Sequence, residues 1–165
     1  MLNHPLSERP EIRSLLQDGR QSERALAIRR GVCRRFRSER FALIPELTLA
    51  SGRRADLVAL CPAGTITIIE IKSSVEDFRA DQKWPEYRRH SDALYFATSP
   101  EVPPEIFPAA AGLIVADPYG AEILRQAERH RLAPATRREM LIRIARAGAM
   151  RLHDLEDPDA ALGFS

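Results

Sequence analysis

The chain has only two cysteines, Cys33 and Cys61, far apart and with no CxxC spacing or clustered histidine beside them. That excludes a disulfide framework and a cysteine-based zinc site, and points to a reducing, cytoplasmic setting. The four histidines, His4, His90, His130 and His153, show no mutual spacing for catalysis or metal binding. Long apolar runs are also missing: none reaches the ~18 to 20 residues of a membrane span, and the start MLNHPLSERPEIRS has no signal-peptide core. An excess of one charge is missing too, with 25 Lys+Arg against 23 Asp+Glu, so neither a polycation nor an acidic disordered chain is expected. Lysine itself is scarce: every basic residue except Lys72 and Lys83 is arginine. What remains, 165 residues with 44% hydrophobic content, suffices for one domain with a single core.

Residues 1–19 are polar, contain Pro5, Pro10 and Gly19, and read as a loosely held arm with at most a helical turn near Leu15 and Leu16. The domain is expected over 20–155, followed by a tail over 156–165. From Gln21 to Arg37, Ala25, Ile28, Val32 and Phe36 recur at helical spacing beneath an arginine-rich outer face. Three strand-like runs follow, 41–49, 54–60 and 65–72 (TITIIEIK). Pro62-Ala63-Gly64 fits a three-residue hairpin loop that sets Cys61 opposite Thr65. Counting back from that pair puts Asp56 across from Glu70. Strand alternation then places Asp56, Glu70 and Lys72 on one face.

Ser74-Val75-Glu76-Asp77 reads as a helix N-cap, with uneven helix running through Pro85 to His90. A buried strand, 93–98, is then reached by a plausible parallel crossover. Beyond the Pro-rich loop 99–108, the runs 112–116 and 121–124 form a hairpin around Pro118-Tyr119-Gly120. A last helix is expected from a Thr136-x-x-Glu139 capping box to about Leu152. The whole is a mixed α/β sandwich.

An acidic residue on one strand and Glu-x-Lys at the end of its neighbour is the arrangement that metal-assisted phosphodiester hydrolysis requires. Mg²⁺ needs one or two carboxylates held close, here Asp56 and Glu70, and the main-chain carbonyl of Ile71 is a further candidate ligand. Lys72 can steady an attacking hydroxide or the charge developing on phosphate. Glu46 joins the set if Ala50-Ser51-Gly52 forms a three-residue loop, which would set it opposite Asp56; a two-residue Ser51-Gly52 turn would send it to the other face. The bland alternative is a solvated charge ladder, which the apolar Ile66 and Ile68 on the same face argue against.

These residues resemble the PD-(D/E)xK nuclease superfamily over about 20–98. Asp56 matches the family's first carboxylate, Glu70-Ile71-Lys72 its Glu-x-Lys, and Lys83-x-x-x-Tyr87 is similar to a variant of the Gln-x-x-x-Tyr helix motif. The stretch GRRADLVAL…IIEIKSSVEDFRADQKWPEYRRHSDALYFAT more specifically resembles MmcB-type DNA repair proteins of alphaproteobacteria, over nearly the full length. The resemblance implies a restriction-endonuclease-like core of helix, three-stranded antiparallel meander, helix and strand, here with an added C-terminal hairpin and helix. It also implies a role in DNA repair or damage tolerance, with Mg²⁺ or Mn²⁺ as cofactor.

The family often adds an acid on the first helix, and Glu23 fits that position poorly, lying well off the buried stripe. Lys83 and Tyr87, with Arg53 and Arg54, are candidate DNA contacts, the cations on phosphates and the aromatic against a base or sugar. For Trp84 and Tyr87 the competing reading is a place in the core. Expected partners are DNA, other repair proteins and a second copy of the chain, and no membrane. The leading function is a metal-dependent DNA nuclease; the alternative is a nuclease-fold module that binds DNA or a repair complex without cutting.

Overall fold

The computed structural model describes residues 22 to 161, so the expected arm over 1–19, its turn near Leu15 and Leu16, and the end of the tail lie outside the described residues. Helix α1 (Glu23–Ser38) begins where the Ser22 hydroxyl accepts from Ala25 N, and it buries Ala25, Ile28, Val32 and Phe36. The stripe read from the sequence is thus the face that meets the sheet. Strands β1 (Ala42–Thr48), β2 (Arg54–Leu60) and β3 (Ile66–Ile71) form an antiparallel meander. Leu57 pairs with Ile69 and Leu60 with Ile66, the register expected from the Pro62-Ala63-Gly64 loop, in which Gly64 has φ +86.

The β1–β2 loop settles the other open register. Leu49 N donates to Arg53 O at 2.7 Å around Ala50-Ser51-Gly52, with Gly52 at φ +80, so the loop has three residues. Pro45 pairs with Leu57 and Leu47 with Ala55, which leaves Glu46 beside Asp56 in register.

Ser74 caps α2 (Val75–Ala80), its hydroxyl accepting from Asp77 N, and a 3₁₀ helix (Trp84–His90) follows. The break between them falls at Asp81, where the backbone turns extended, and Pro85 sits in the first turn of the 3₁₀ helix, where its missing amide costs nothing. This segment carries the chain over to β4 (Ala93–Thr98), which pairs parallel to β3. The Pro-rich loop contains a 3₁₀ turn (Pro104–Ile106). Then β5 (Gly112–Ala116) adds parallel to β4, and β6 (Ala121–Arg125) closes the sheet antiparallel, in the order β1-β2-β3-β4-β5-β6. The β5–β6 turn rests on α1: a Cβ at Gly31 would lie 2.0 Å from Asp117 O and 2.3 Å from Gly120 O. Helix α3 (Pro134–Glu156) and a short α4 (Pro158–Ala161) end the described chain.

The expected capping box at Thr136 and Glu139 does not form. The helix starts three residues earlier, with Ala133 as an N-cap that makes no side-chain bond and Pro134 in the first turn. Proline there has its φ pre-set for helix and gives up only an amide that would be unpaired anyway. The architecture is the expected restriction-endonuclease-like α/β core with hairpin and helix added.

One face of the sheet, with Leu57, Ala59, Ile69, Ile71, Tyr95 and Ala97, packs under α1. On the opposite face Val58, Ile66, Ile68 and Leu94 lie under Tyr87 and Met140. Phe96 and Leu113 continue that face into an aromatic cluster with Phe107, Phe78 and Trp84. Asp56 and Glu70 alternate with the α1-facing residues and therefore share this second face.

Candidate active site

The β2–β3 ladder runs as far as Leu57 and Ile69, and one step further the strands are joined through side chains instead. Asp56 N donates to Glu70 Oε1 at 3.2 Å, and Ile71 N donates to Asp56 Oδ2 at 2.8 Å. Each carboxylate thus satisfies a backbone amide that the parting strands no longer pair, as buried amides require. The other oxygen of each carboxylate, Asp56 Oδ1 and Glu70 Oε2, takes no hydrogen bond from the described residues. Lys72 continues β3 past its last ladder pair: its N donates to Ala97 O at 2.9 Å and its O accepts from Thr98 Oγ1 at 2.7 Å. That fixes the lysine backbone while its Nζ reaches Asp81 Oδ2 at 2.7 Å.

These groups line a cleft of about 410 Å³ together with Ser22, Ala25, Arg54, Ile71, Ser73, Asp77 and Tyr87. Its electrostatics are unsettled. Burial, opposed by the Ile71 amide and Lys72, pushes the Asp56 carboxyl up to about 6. Burial and then the Asp56 charge push Glu70 well above the usual range. For Lys72, burial works downward, but the Asp81 hydrogen bond and charge, with Glu70 and Asp56 behind, outweigh it and hold the ammonium above its ordinary value. For Asp81, the Lys72 bond and the Lys83 amide outweigh burial and hold the carboxyl low. A cationic lysine therefore faces two carboxylates that resist ionising together.

Two carboxylates with oxygens to spare, and mutual repulsion that a cation would relieve, fit one divalent ion, which needs only one or two such ligands. Among the described residues no group of three or more His, Cys, Asp or Glu stands in a metal-holding arrangement. Glu46 has left-handed backbone (φ +53) beside Asp56, and its carboxylate is 2.6 Å from Arg54 Nε and 3.9 Å from Arg29 Nη1. It sits in an arginine clamp, and Arg54 is the member of that clamp lining the cleft. Glu23 is exposed in the first turn of α1 and outside the cleft.

Of the candidate DNA contacts, Tyr87 is buried, and its hydroxyl donates to Arg54 O at 3.2 Å, bracing the start of β2. Burial, then the Glu70 and Asp56 charges, raise its phenol pKa. Arg53 spends its guanidinium on Glu86, at 2.5 Å and 3.2 Å. Lys83 is exposed outside the cleft, its amide donating to Asp81 Oδ1 at 3.0 Å. Trp84 packs edge-on to Phe96 within the aromatic cluster.

Sequence reasoning missed Asp77 and Asp81. Asp77 Oδ2 accepts from Ser73 N at 2.9 Å, closing the turn after Lys72. Asp81 follows the end of α2, and nothing periodic marks it; only the path of the chain over the sheet brings it to Lys72.

No helix among the described residues is long and apolar enough to cross a membrane. Residues 13–159 match the family model of MmcB-like DNA repair proteins. A solved structure, of a protein of unknown function from Silicibacter pomeroyi, is 40% identical, with a TM-score of 0.81 over 84% of this chain and 95% of that one. No curated protein matches the chain.

Proposed function

Because the chain belongs to the MmcB-like DNA repair protein family, we propose that it acts in DNA repair as a Mg²⁺- or Mn²⁺-dependent nuclease centred on Asp56, Glu70 and Lys72. The observation that carries this reading is the reciprocal bonding of Asp56 and Glu70 at the parting ends of β2 and β3, with Lys72 beside them in one cleft. Asp56 and Glu70 would hold the cation, with the Ile71 carbonyl as a further ligand. When bound, the ion supplies Lewis acidity toward a phosphate oxygen. Lys72, kept charged by Asp81, offers an ammonium to the attacking hydroxide and to negative charge growing on the phosphate. Arg54, steered by Glu46, holds a flanking phosphate at the mouth of the cleft. For Glu46 itself to become a ligand, that ion pair must open. DNA is the partner this chemistry addresses.

The test is cleavage of linear duplex, single-stranded and branched DNA with Mg²⁺ or Mn²⁺ by the wild type and by Glu70→Ala and Lys72→Ala, alongside Mn²⁺ titration calorimetry. Expected are loss of cleavage by about 10³-fold or more in both variants and loss of Mn²⁺ binding in Glu70→Ala. Cleavage that survives both substitutions would sink the assignment. A second reading, a DNA-binding module that does not cut, draws on the hold Asp81 has on Lys72. It predicts DNA binding indifferent to EDTA and no product with either metal.

A further inference from the structure

Helix α3 has two unlike sides. Its inner side, with Met140, Ile144 and Ala147, packs into the core. On the same side Arg151 donates to Pro45 O at 2.5 Å and Glu46 O at 3.0 Å, tying the helix to β1. The outer side carries Arg138, Ile142, Ala145, Ala149, Leu152 and Glu156, alternately four and three residues apart, and all six are exposed. Two are large and apolar, Ile142 at 46% and Leu152 at 58% exposure. A seam of that spacing is what one helix presents to another in a coiled coil, and nothing in the described chain covers it.

We propose that this seam is a self-docking surface, on which a second copy of the chain packs its own α3 antiparallel. The order of residues is self-complementary. Turned about a two-fold axis level with Ala147, Ile142 meets Leu152 of the second copy, Ala145 meets its Ala149 and Arg138 meets its Glu156, each pair occurring twice. Small residues at the centre let the helix axes approach to about 8 Å. Beside the N-terminal half lies a groove of about 670 Å³ lined by Leu132, Pro134, Arg138, Leu141, Ile142 and Ala145. It receives Leu152 and Leu155 of the second copy, the latter 44% exposed.

Charge sets the direction. Beside Arg137, which is held by Asp92, and Arg143, which is held by Glu139, the part of the helix before Ala147 carries Arg138 and Arg146, whereas Asp154 and Glu156 lie in its last turn with Asp157 and Asp159 just beyond. Antiparallel packing brings unlike charges together, and parallel packing would stack like on like. The seam is about 27 Å long. One helix pair of that length falls at the small end of stable interfaces, below roughly 800 Å² per partner, so the dimer dissociates in about the micromolar range.

Sedimentation velocity of the full chain across low to high micromolar concentration tests this. A dimer is expected that Ile142→Glu and Leu152→Glu each abolish without lowering Tm, since neither side chain is part of the core. Arg138→Glu should weaken dimerisation about 10-fold, and Arg138→Glu combined with Glu156→Arg should restore it. A wild type that stays monomeric throughout, a dimer that persists in Leu152→Glu, or a charge swap that fails to rescue would each overturn the proposal.

Discussion

The two ends of β3 meet buried carboxylates of opposite character. At its start, Asp92 accepts from Ile66 N at 2.8 Å, from Leu132 N at 3.2 Å and from both terminal nitrogens of Arg137, at 2.9 Å and 2.6 Å. Burial would raise its pKa, but the Arg137 bond and the two amides prevail and hold it below the usual range. At the strand's other end Asp56 and Glu70 accept one amide each, share a single ammonium with Asp81, and are raised. The first site is a fully answered charge, and it locks three segments of the chain together. The second keeps negative charge unanswered, which costs stability and leaves chemistry available to a cation. Both are built on the same strand, and only the supply of donors separates structure from site.

The sharpest way to break this contrast is Asp92→Ala, which strands two amides and a guanidinium. Unfolding free energy should fall by about 3 kcal/mol in urea titration. A loss within error of zero would mean the clamp is ornamental. At the other end Glu70→Gln keeps an acceptor for Asp56 N while removing the charge. Its stability at pH 8 should rise by about 1 kcal/mol, even as Mn²⁺ binding is lost. A destabilised Glu70→Gln would show that the pair is not in conflict.

The same contrast has a pH signature. Asp56, raised to about 6, imposes a cost that is absent below the ordinary carboxylate range near 4 and complete above about 6. Wild-type stability should therefore decline by this contribution between about pH 4 and 6, and the decline should be smaller in Glu70→Gln. Asp92 has the opposite sign, because its contribution is full above about 4 and fades as acid protonates it. Thermal denaturation of the wild type beside Glu70→Gln and Asp92→Ala across this range separates the two, and identical profiles for the wild type and Glu70→Gln between about pH 4 and 6 would contradict the first. Metal affinity should weaken as pH drops through about 6, where protons compete for the pair. The smallest effect is expected for Tyr87→Phe, which loses one 3.2 Å bond to Arg54 O. It should cost about 1 kcal/mol or less in the same denaturation series; a cost of several would make Tyr87 more than a brace.

Much of the framework was legible because it is local. The spacing of Ala25, Ile28, Val32 and Phe36 identified the buried face of α1, and Ser74 marked the start of α2 through its own side-chain bond. Where two local signals competed, the sequence misled: Thr136-x-x-Glu139 has the composition of a cap, yet Pro134 upstream starts the helix by steric preference alone. Glu46 shows a different limit. Its position opposite Asp56 depended on one residue of loop length, and its engagement by Arg29 and Arg54 depended on how α1 and the β1–β2 hairpin come together.

The sequence by itself determined the β2–β3 register, and with it the shared face of Asp56, Glu70 and Lys72. The three-residue loop fixes which residues pair, and the two-residue side-chain period fixes the face they share. Only the tertiary structure decided that Asp81 holds Lys72, that Tyr87 braces β2 from inside the core, and that β5 enters beside β4. Those contacts join residues that no helical or strand period relates, and their outcome rests on which groups the packed elements bring within reach of one another.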